Sequence, residues 1–146
     1  MSKDNLPEKT SAVEALELRL DKLPALDVID VVERTMTRII NATTPEEAAA
    51  NPEAMGLRDF AGRTIVVYDV AGALPSTMKT GPSRYVVLDC ADPETGERFT
   101  CTTGSNYAMG TALRYWEAGW FPAIFRVVEL ESASNPGQTS LWLVRA

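Results

Sequence analysis

The stretch that decides the fold is RYVVLDCADPETGERFTCTTGSNYAMGTALRYWEAGWFPAIFRVVEL, residues 84–130. It opens with two runs of apolar and β-branched residues, 84–91 and 98–103, which are typical of strands. Between them lies DPETGE (92–97), whose Asp, Pro and Gly residues favour a turn. The first half of the stretch therefore predicts a β-hairpin.

A helix is predicted directly after this hairpin. In SNYAMGTALRYWEAG, Ser105 is a suitable N-cap and Gly119 a suitable C-terminal stop. A further strand, AIFRVVEL (123–130), begins after Pro122. We expect the helix to pack on the strands through Tyr107, Leu113 and Trp116, with Met109 and Ala112 beside them.

Two more strands flank this stretch. TIVVYDV (64–70) precedes it, separated by the loop 71–83, and TSLWLVR (139–145) follows it. One helix between the third and fourth of five strands is the connectivity of an OB fold, the oligonucleotide- and oligosaccharide-binding fold. The sequence thus predicts a mainly β protein with some α, in which residues 58–146 form a five-stranded OB-type barrel (β-β-β-α-β-β).

Residues 1–57 are interpreted as a helical N-terminal extension of this barrel. Apolar residues recur three or four apart over 11–23 and again over 27–41, and TTPEEAAA then suggests a capping box between Thr44 and Glu47. Helices of this length are marginal alone, so they must pack on the barrel, on each other or on another subunit. Two roles stay open: an extension that docks on the barrel, or an arm that binds a partner or a second copy.

Charge is distributed unevenly along the 146 residues, whose net charge is −6. Residues 1–57 hold six Lys and Arg against eleven Asp and Glu, whereas residues 58–146 hold eight against nine. A chain with a pI near 4.7 does not bind nucleic acid through bulk charge. The nearly neutral second half can still present a locally basic face.

Composition also argues against enzymatic chemistry. The chain has no histidine, and it contains no nucleotide-binding glycine loop, no H-E-x-x-H and no C-x-x-C, so we predict a non-enzymatic protein without cofactor or metal. Asp69, Asp89 and Asp92 are expected to be solvated or to cap turns. Cys90 and Cys101 lie in apolar runs and are expected to be buried free thiols.

The stretch from LRDFAGRTIVVYDV through the quoted segment to SLWLVRA resembles small phage and prophage OB-fold proteins regarded as single-stranded DNA-binding proteins. The shared features are the "aGrt" opening of the first strand, the T-G-E hairpin, the "TGS" step into the helix and the "AG-x-hP" exit. Residues 1–57 are outside the resemblance, and the acidic Gly- and Pro-rich tail of bacterial single-strand-binding proteins is not found in this sequence. The resemblance implies single-stranded DNA binding in replication or recombination, with self-association or a replication or recombination partner bound through residues 1–57.

The expected location is the cytoplasm, that of the host if the protein is phage-encoded. No apolar run approaches the roughly 20 residues of a membrane span, so no membrane partner is predicted. The N-terminus, MSKDNLPEKT, lacks the apolar segment of a secretory signal.

Binding a single strand requires aromatic rings on which bases stack and cations that follow the phosphates. Successive side chains of a strand point to opposite faces, which predicts that Tyr68, Tyr85 and Trp142 point outward from apolar neighbours. The alternative is that these rings fill the barrel or lie beneath the N-terminal helices.

The third strand is expected to bury Phe99 and Cys101 on one face, which leaves Arg98, Thr100 and Thr102 exposed on the other.

Cations are available on the strands and in the loop between the first two. Lys79 lies in that loop, and Arg84 and Arg98 lie on the second and third strands, where OB folds hold their ligands. Arg63 and Arg145 are further cations, and each arginine taken singly is an ordinary surface charge. The predicted site consists of Tyr68, Lys79, Arg84, Tyr85, Arg98, Arg126 and Trp142. The alternative function is an OB-like assembly module with a helical docking arm and no nucleic-acid binding.

Overall fold

A computed structural model describes residues 11–25, 36–37, 39–49, 55–75, 84–131 and 137–146. The helices are α1 (Ser11–Leu20), α2 (Pro45–Ala48) and α3 (Asn106–Ala118), with one 3-10 turn at Leu57–Phe60. The strands are β1 (Met55–Gly56), β2 (Thr64–Pro75), β3 (Arg84–Ala91), β4 (Arg98–Thr103), β5 (Ala123–Glu131) and β6 (Thr139–Arg145). The fold is mainly β with some helix, as predicted.

The strands form one sheet in the order β1-β4-β3-β2-β5-β6. The two-residue β1 runs parallel to β4, and the other five strands are antiparallel to their neighbours. Among the described residues no backbone pairing joins β4 to β6, so the sheet is open. The predicted order of strands and helix is confirmed, whereas closure into a barrel is not.

The core lies on one face of this sheet. Val67, Leu88 and Phe125 are fully buried there, each at the alternate position that its strand directs inward. Helix α3 covers this face, and its buried side chains are Ala108, Met109, Ala112 and Leu113. The expectation that Tyr107 packs in this face is wrong, because the i, i+4 pairs 108/112 and 109/113 turn that residue away from the core.

Strand β2 is longer than the predicted run 64–70 and continues to Pro75. Its register against β3 shifts between Val67 and Asp69, which places a β-bulge at Tyr68. The sequence predicts that Gly72 belongs to a loop, and its φ of 97° favours glycine. Pairing with β3 nevertheless keeps it in the strand. The pairing partner therefore sets the length of β2.

Helix α1 packs against the same core as the sheet. Leu20 and Leu23 are buried there, and Leu16 is partly buried against it. The Gly72 amide donates a hydrogen bond to the Pro24 carbonyl oxygen at 2.9 Å, which ties the segment after the helix to β2. The apolar spacing predicted over 11–23 is thus confirmed, and α1 docks on the fold.

The rest of the N-terminal segment is described only in part. Helix α2 begins at Pro45 as predicted, while the side chain of Glu47 lies outside the described residues. Within the predicted helix 27–41, the backbone is helical at 36–37 and 39–40, and residues 27–35 and 38 lie outside the described part.

The β3–β4 hairpin has the predicted turn. Asp92 Oδ1 accepts the backbone N–H groups of Glu94 and Thr95 at 2.8 and 3.0 Å, and Gly96 adopts a φ of 75° that favours glycine. These backbone hydrogen bonds lower the pKa of Asp92, because they stabilise its ionised form. Asp92 thus caps the turn.

Candidate nucleic-acid interface

We call the side of the sheet that points away from the core the outer face. Paired residues of antiparallel strands point to the same side, so the register identifies its members. Arg98 pairs with Ala91, which in turn pairs with Val66 of β2. Thr64 points to the same side as Val66 and pairs with Arg126 of β5. Val128, two residues after Arg126, pairs with Trp142 of β6. Tyr68, Arg98, Arg126 and Trp142 therefore share this face of the sheet.

Tyr68, Asp89 and Arg98 form a compact cluster on the outer face. The guanidinium carbon of Arg98 lies 4.1 Å from the centre of the Tyr68 ring, which is a cation–π contact. Arg98 Nη2 also donates to both carboxylate oxygens of Asp89, at 3.0 and 2.9 Å. The Tyr68 side chain, carried by the bulge, remains 38% exposed. The structure thus places an exposed ring against a cation whose position is fixed by Asp89.

Arg98 also offsets the repulsion between two neighbouring carboxylates in the sheet. Asp69 and Asp89 are cross-strand partners, and like charges in that position repel each other. Asp69 Oδ1 accepts the Val70 amide at 2.8 Å, and the buried Asp89 carboxylate is neutralised by Arg98. Because the charge of Arg98 is balanced locally, the cluster offers stacking surface more than net positive charge.

The third strand differs from expectation on its outward side. Phe99 and Cys101 are buried and Arg98 is exposed, as predicted, but Thr100 is buried and Thr102 is half-buried. Strand β4 is flanked on both sides, by β3 and by β1, and this short parallel strand was not predicted. Thr100 pairs with Asp89 of β3, beside the Arg98 side chain that contacts the same carboxylate.

Arg84 and Tyr85 lie away from the cluster. Arg84 Nη2 is 2.5 Å from Asp21 Oδ1, and Arg84 Nη1 donates to the Glu17 carbonyl oxygen at 3.3 Å, so α1 engages this guanidinium. Arg98 pairs with the opposite end of β3, roughly 20 Å from Arg84 at the rise of a strand. The predicted grouping of these two cations in one groove is wrong. Tyr85 is half-buried, and Lys79 lies outside the described residues.

Trp142 and Arg126 lie on β6 and β5, on the other side of β2 from the cluster. Trp142 is half-buried because the ring of Tyr107 stacks on it, with 3.9 Å between ring centres and 9° between planes. Arg126 is exposed and makes no ion pair within the described part of the chain. Sequence reasoning missed Tyr107, although its offset from the i, i+4 stripe of α3 was a usable signal.

The arginines of the described surface do not form one basic track. Arg58 is paired with Glu129, and Arg63 lies 3.5 Å from Asp92 and over the ring of Phe60. Arg84 and Arg98 are paired as well. The phosphates of a bound strand would therefore have to compete with protein carboxylates at most of these positions.

One open groove of about 360 Å³ lies beside the hairpin turn. Its floor includes Phe60 and Phe99, whose rings stack at 4.6 Å. Three carboxylates, those of Asp59, Asp92 and Glu97, face a single arginine in its lining. An excess of negative charge makes this groove a poor place for phosphates.

Among the described residues, no group of three or more His, Cys, Asp or Glu side chains is arranged to hold a metal ion. Cys90 and Cys101 are buried free thiols, as predicted, with their sulfur atoms 3.8 Å apart. Asp89 is buried against Arg98, so the expectation that it is a solvated or capping residue is wrong. In the same part of the chain, no helix combines the length and apolar character that a membrane crossing needs.

The chain was compared with protein-family models, with curated proteins and with solved structures, and it matches none of them. The outer face is therefore interpreted from its own geometry. It combines a Tyr68–Arg98 contact, an exposed Arg126 and a Tyr107–Trp142 stack.

Proposed function

We propose that the protein binds single-stranded DNA, without enzymatic activity, on the outer face of an OB-type barrel. One observation carries the proposal: Tyr68 is an exposed ring on the sheet, with a guanidinium group 4.1 Å above it. Rings and guanidinium planes are the surfaces on which unpaired bases stack. The proposed setting is phage-type replication or recombination, in keeping with the family that the sequence resembles.

The connectivity of the sheet supports the OB-type interpretation. Five antiparallel strands, β2 to β6, carry one helix between the third and the fourth, as in OB folds. The β-bulge in β2 increases twist and bending, which favours a curved sheet. OB folds hold ligands across their second and third strands, which correspond to β3 and β4. Asp89 and Arg98 of the cluster lie on these two strands.

The electrostatics of the cluster favours binding with little sequence preference. Stacking contributes roughly 1–3 kcal/mol per base and tolerates any base, because every base has a π face. Asp89 restrains the Arg98 guanidinium, so little side-chain entropy is lost when a base stacks beside it. The shortage of unpaired arginines predicts modest affinity with a small salt dependence that is nevertheless measurable.

A second candidate is an assembly module that does not bind nucleic acid. Two observations favour it: Ile124 and Leu130 are exposed on β5, and most arginines of the described surface are already paired. In this alternative the helical segment 1–57 would bind partners or a second copy. The two candidates differ in their response to salt, since apolar docking is strengthened or unchanged by salt whereas phosphate binding weakens.

The test is a fluorescence-anisotropy titration of labelled oligothymidylate at low and moderate salt, with a duplex as competitor. Tyr68→Ala should weaken binding about 5- to 150-fold, the equivalent of one lost stack. Trp120→Ala is the matched control, because Trp120 is 54% exposed and lies outside the strands. Equal weakening by both variants, or equal binding of the duplex, would count against the proposal.

A further inference from the structure

The outer face of β5 and β6 has an unusual composition for this chain. In a protein with a net charge of −6, the outward positions of these two strands carry mainly apolar side chains and no carboxylate. Arg126 is their only charged residue. The outward side chains that matter are Ile124, Arg126, Val128, Leu130, Trp142 and Val144.

Tyr107 extends this surface from helix α3. Its ring lies parallel to that of Trp142 at 3.9 Å, so one ring face is covered. Because the residue is still 50% exposed, its other ring face is open to solvent. The two rings therefore make a platform with one free flat surface.

The backbone of α3 sets the position of Tyr107, so no contact with the core is needed to hold the residue there. The Ser105 hydroxyl donates to the Leu141 carbonyl oxygen at 2.6 Å, which fixes the start of α3 against β6. The neighbouring Ala108 and Met109 then enter the core, and Tyr107 is left over the sheet edge. Tyr107 therefore contributes its ring to the surface beside Trp142 and adds little to the core.

We infer that Tyr107 is a second base-stacking residue, with Trp142 as its support and Arg126 as a phosphate contact. The inference rests on the proposed single-stranded DNA binding and extends it to a second location. The occupant is argued from charge: Arg126 is the one charged side chain at the outward positions of β5 and β6 and makes no ion pair among the described residues, which suits a phosphate beside a stacked base. A bound strand would run from the Tyr68–Arg98 cluster across β5 to β6.

The separation of the two locations gives a prediction about length. Trp142 lies two strands from Tyr68 and about six residues further along the sheet, which is roughly 20 Å for a flat sheet. One stacked base cannot bridge that distance. A short oligonucleotide should occupy one location, and a longer one should occupy both.

The experiment compares labelled oligothymidylates of about 4 and about 16 nucleotides, the range of site sizes known for one OB fold. For the longer strand, Tyr107→Ala should raise the Kd about 5- to 150-fold relative to the wild type. Tyr107→Phe, which keeps the ring, should bind like the wild type. Trp120→Ala again serves as control, because it removes an aromatic side chain of similar exposure. Urea unfolding of each variant confirms that it is folded.

The outcomes separate the inference from the proposed function. Wild-type protein that binds neither strand refutes the proposed function itself. If the wild type binds and Tyr68→Ala is impaired, but Tyr107→Ala binds the longer strand as Trp120→Ala does, the inference alone is wrong. A Tyr107→Ala variant that changes the sedimentation coefficient without changing DNA affinity would instead identify the face as a contact between copies. If Tyr107→Ala is unfolded, Tyr107→Leu replaces it with the same expected loss.

Discussion

Replacement of Arg98 by Ala should destabilise the fold by about 2–3 kcal/mol. A hydrogen bond to a charged group contributes roughly 1.5–3 kcal/mol, and Arg98 donates to both oxygens of Asp89. The Arg98 side chain is 42% exposed, so solvent screening places this contribution at the lower end. Loss of the contact with the Tyr68 ring adds roughly 0.5–1 kcal/mol.

The larger part of this loss comes from the carboxylate that remains. The Asp89 side chain is only 10% exposed, and a buried charge without its partner is costly. Removing the charge as well should therefore restore stability, so Asp89→Asn combined with Arg98→Ala should cost less than the sum of the two single changes. Arg58→Ala is the control, because its ion pair with Glu129 is exposed and should contribute about 0–1 kcal/mol.

The assay is urea unfolding followed by tryptophan fluorescence, with the free energy of unfolding taken from a shared m value. The double change is expected to cost at least about 1 kcal/mol less than the sum of the two single changes. Single changes whose costs add within roughly 0.5 kcal/mol would refute the reasoning. So would an Arg98→Ala variant as stable as Arg58→Ala.

Three further results are expected. The pKa values of Asp92 and Glu117 are lowered, by backbone N–H groups and by an arginine hydrogen bond respectively, so their stabilising contribution is complete only above about pH 5. This contribution should be lost as the pH falls further, so the midpoint of urea unfolding should decrease at acidic pH. A midpoint that stays constant from neutral pH to acidic pH would contradict the prediction. Leu20→Ala should cost about 2–5 kcal/mol, because Leu20 is fully buried in the shared core; a cost below about 1 kcal/mol would mean that α1 does not dock. Cys90 and Cys101 should react with a thiol reagent only at the rate of unfolding, and immediate labelling in native buffer would contradict their burial.

The strands were predictable because each is a local pattern. The runs 84–91, 98–103 and 139–145 coincide with β3, β4 and β6, since apolar and β-branched residues fill each run and turn residues precede it. The length of β2 could not be predicted in this way. Its continuation past Val70 depends on pairing with β3, and no feature of residues 71–75 indicates that pairing.

The candidate site was less predictable than the fold for the same reason. Alternation correctly placed Tyr68 on the outside, because it needs only the neighbouring residues. The partner of Arg84 is Asp21, 63 positions away, and the cover of Trp142 comes from Tyr107 in a helix. Such long-range contacts decide which cations and rings are free, and no spacing in the sequence encodes them.

The most direct test of nucleic-acid binding on the outer face is photo-crosslinking to oligothymidylate, followed by mass spectrometry of the linked peptides. Single-strand binding predicts crosslinks in the peptides that contain Tyr68 of β2 and Trp142 of β6, and their loss when unlabelled single strand competes. Crosslinks confined to the groove beside Phe60 and Phe99, or none that a single strand can compete away, would contradict it.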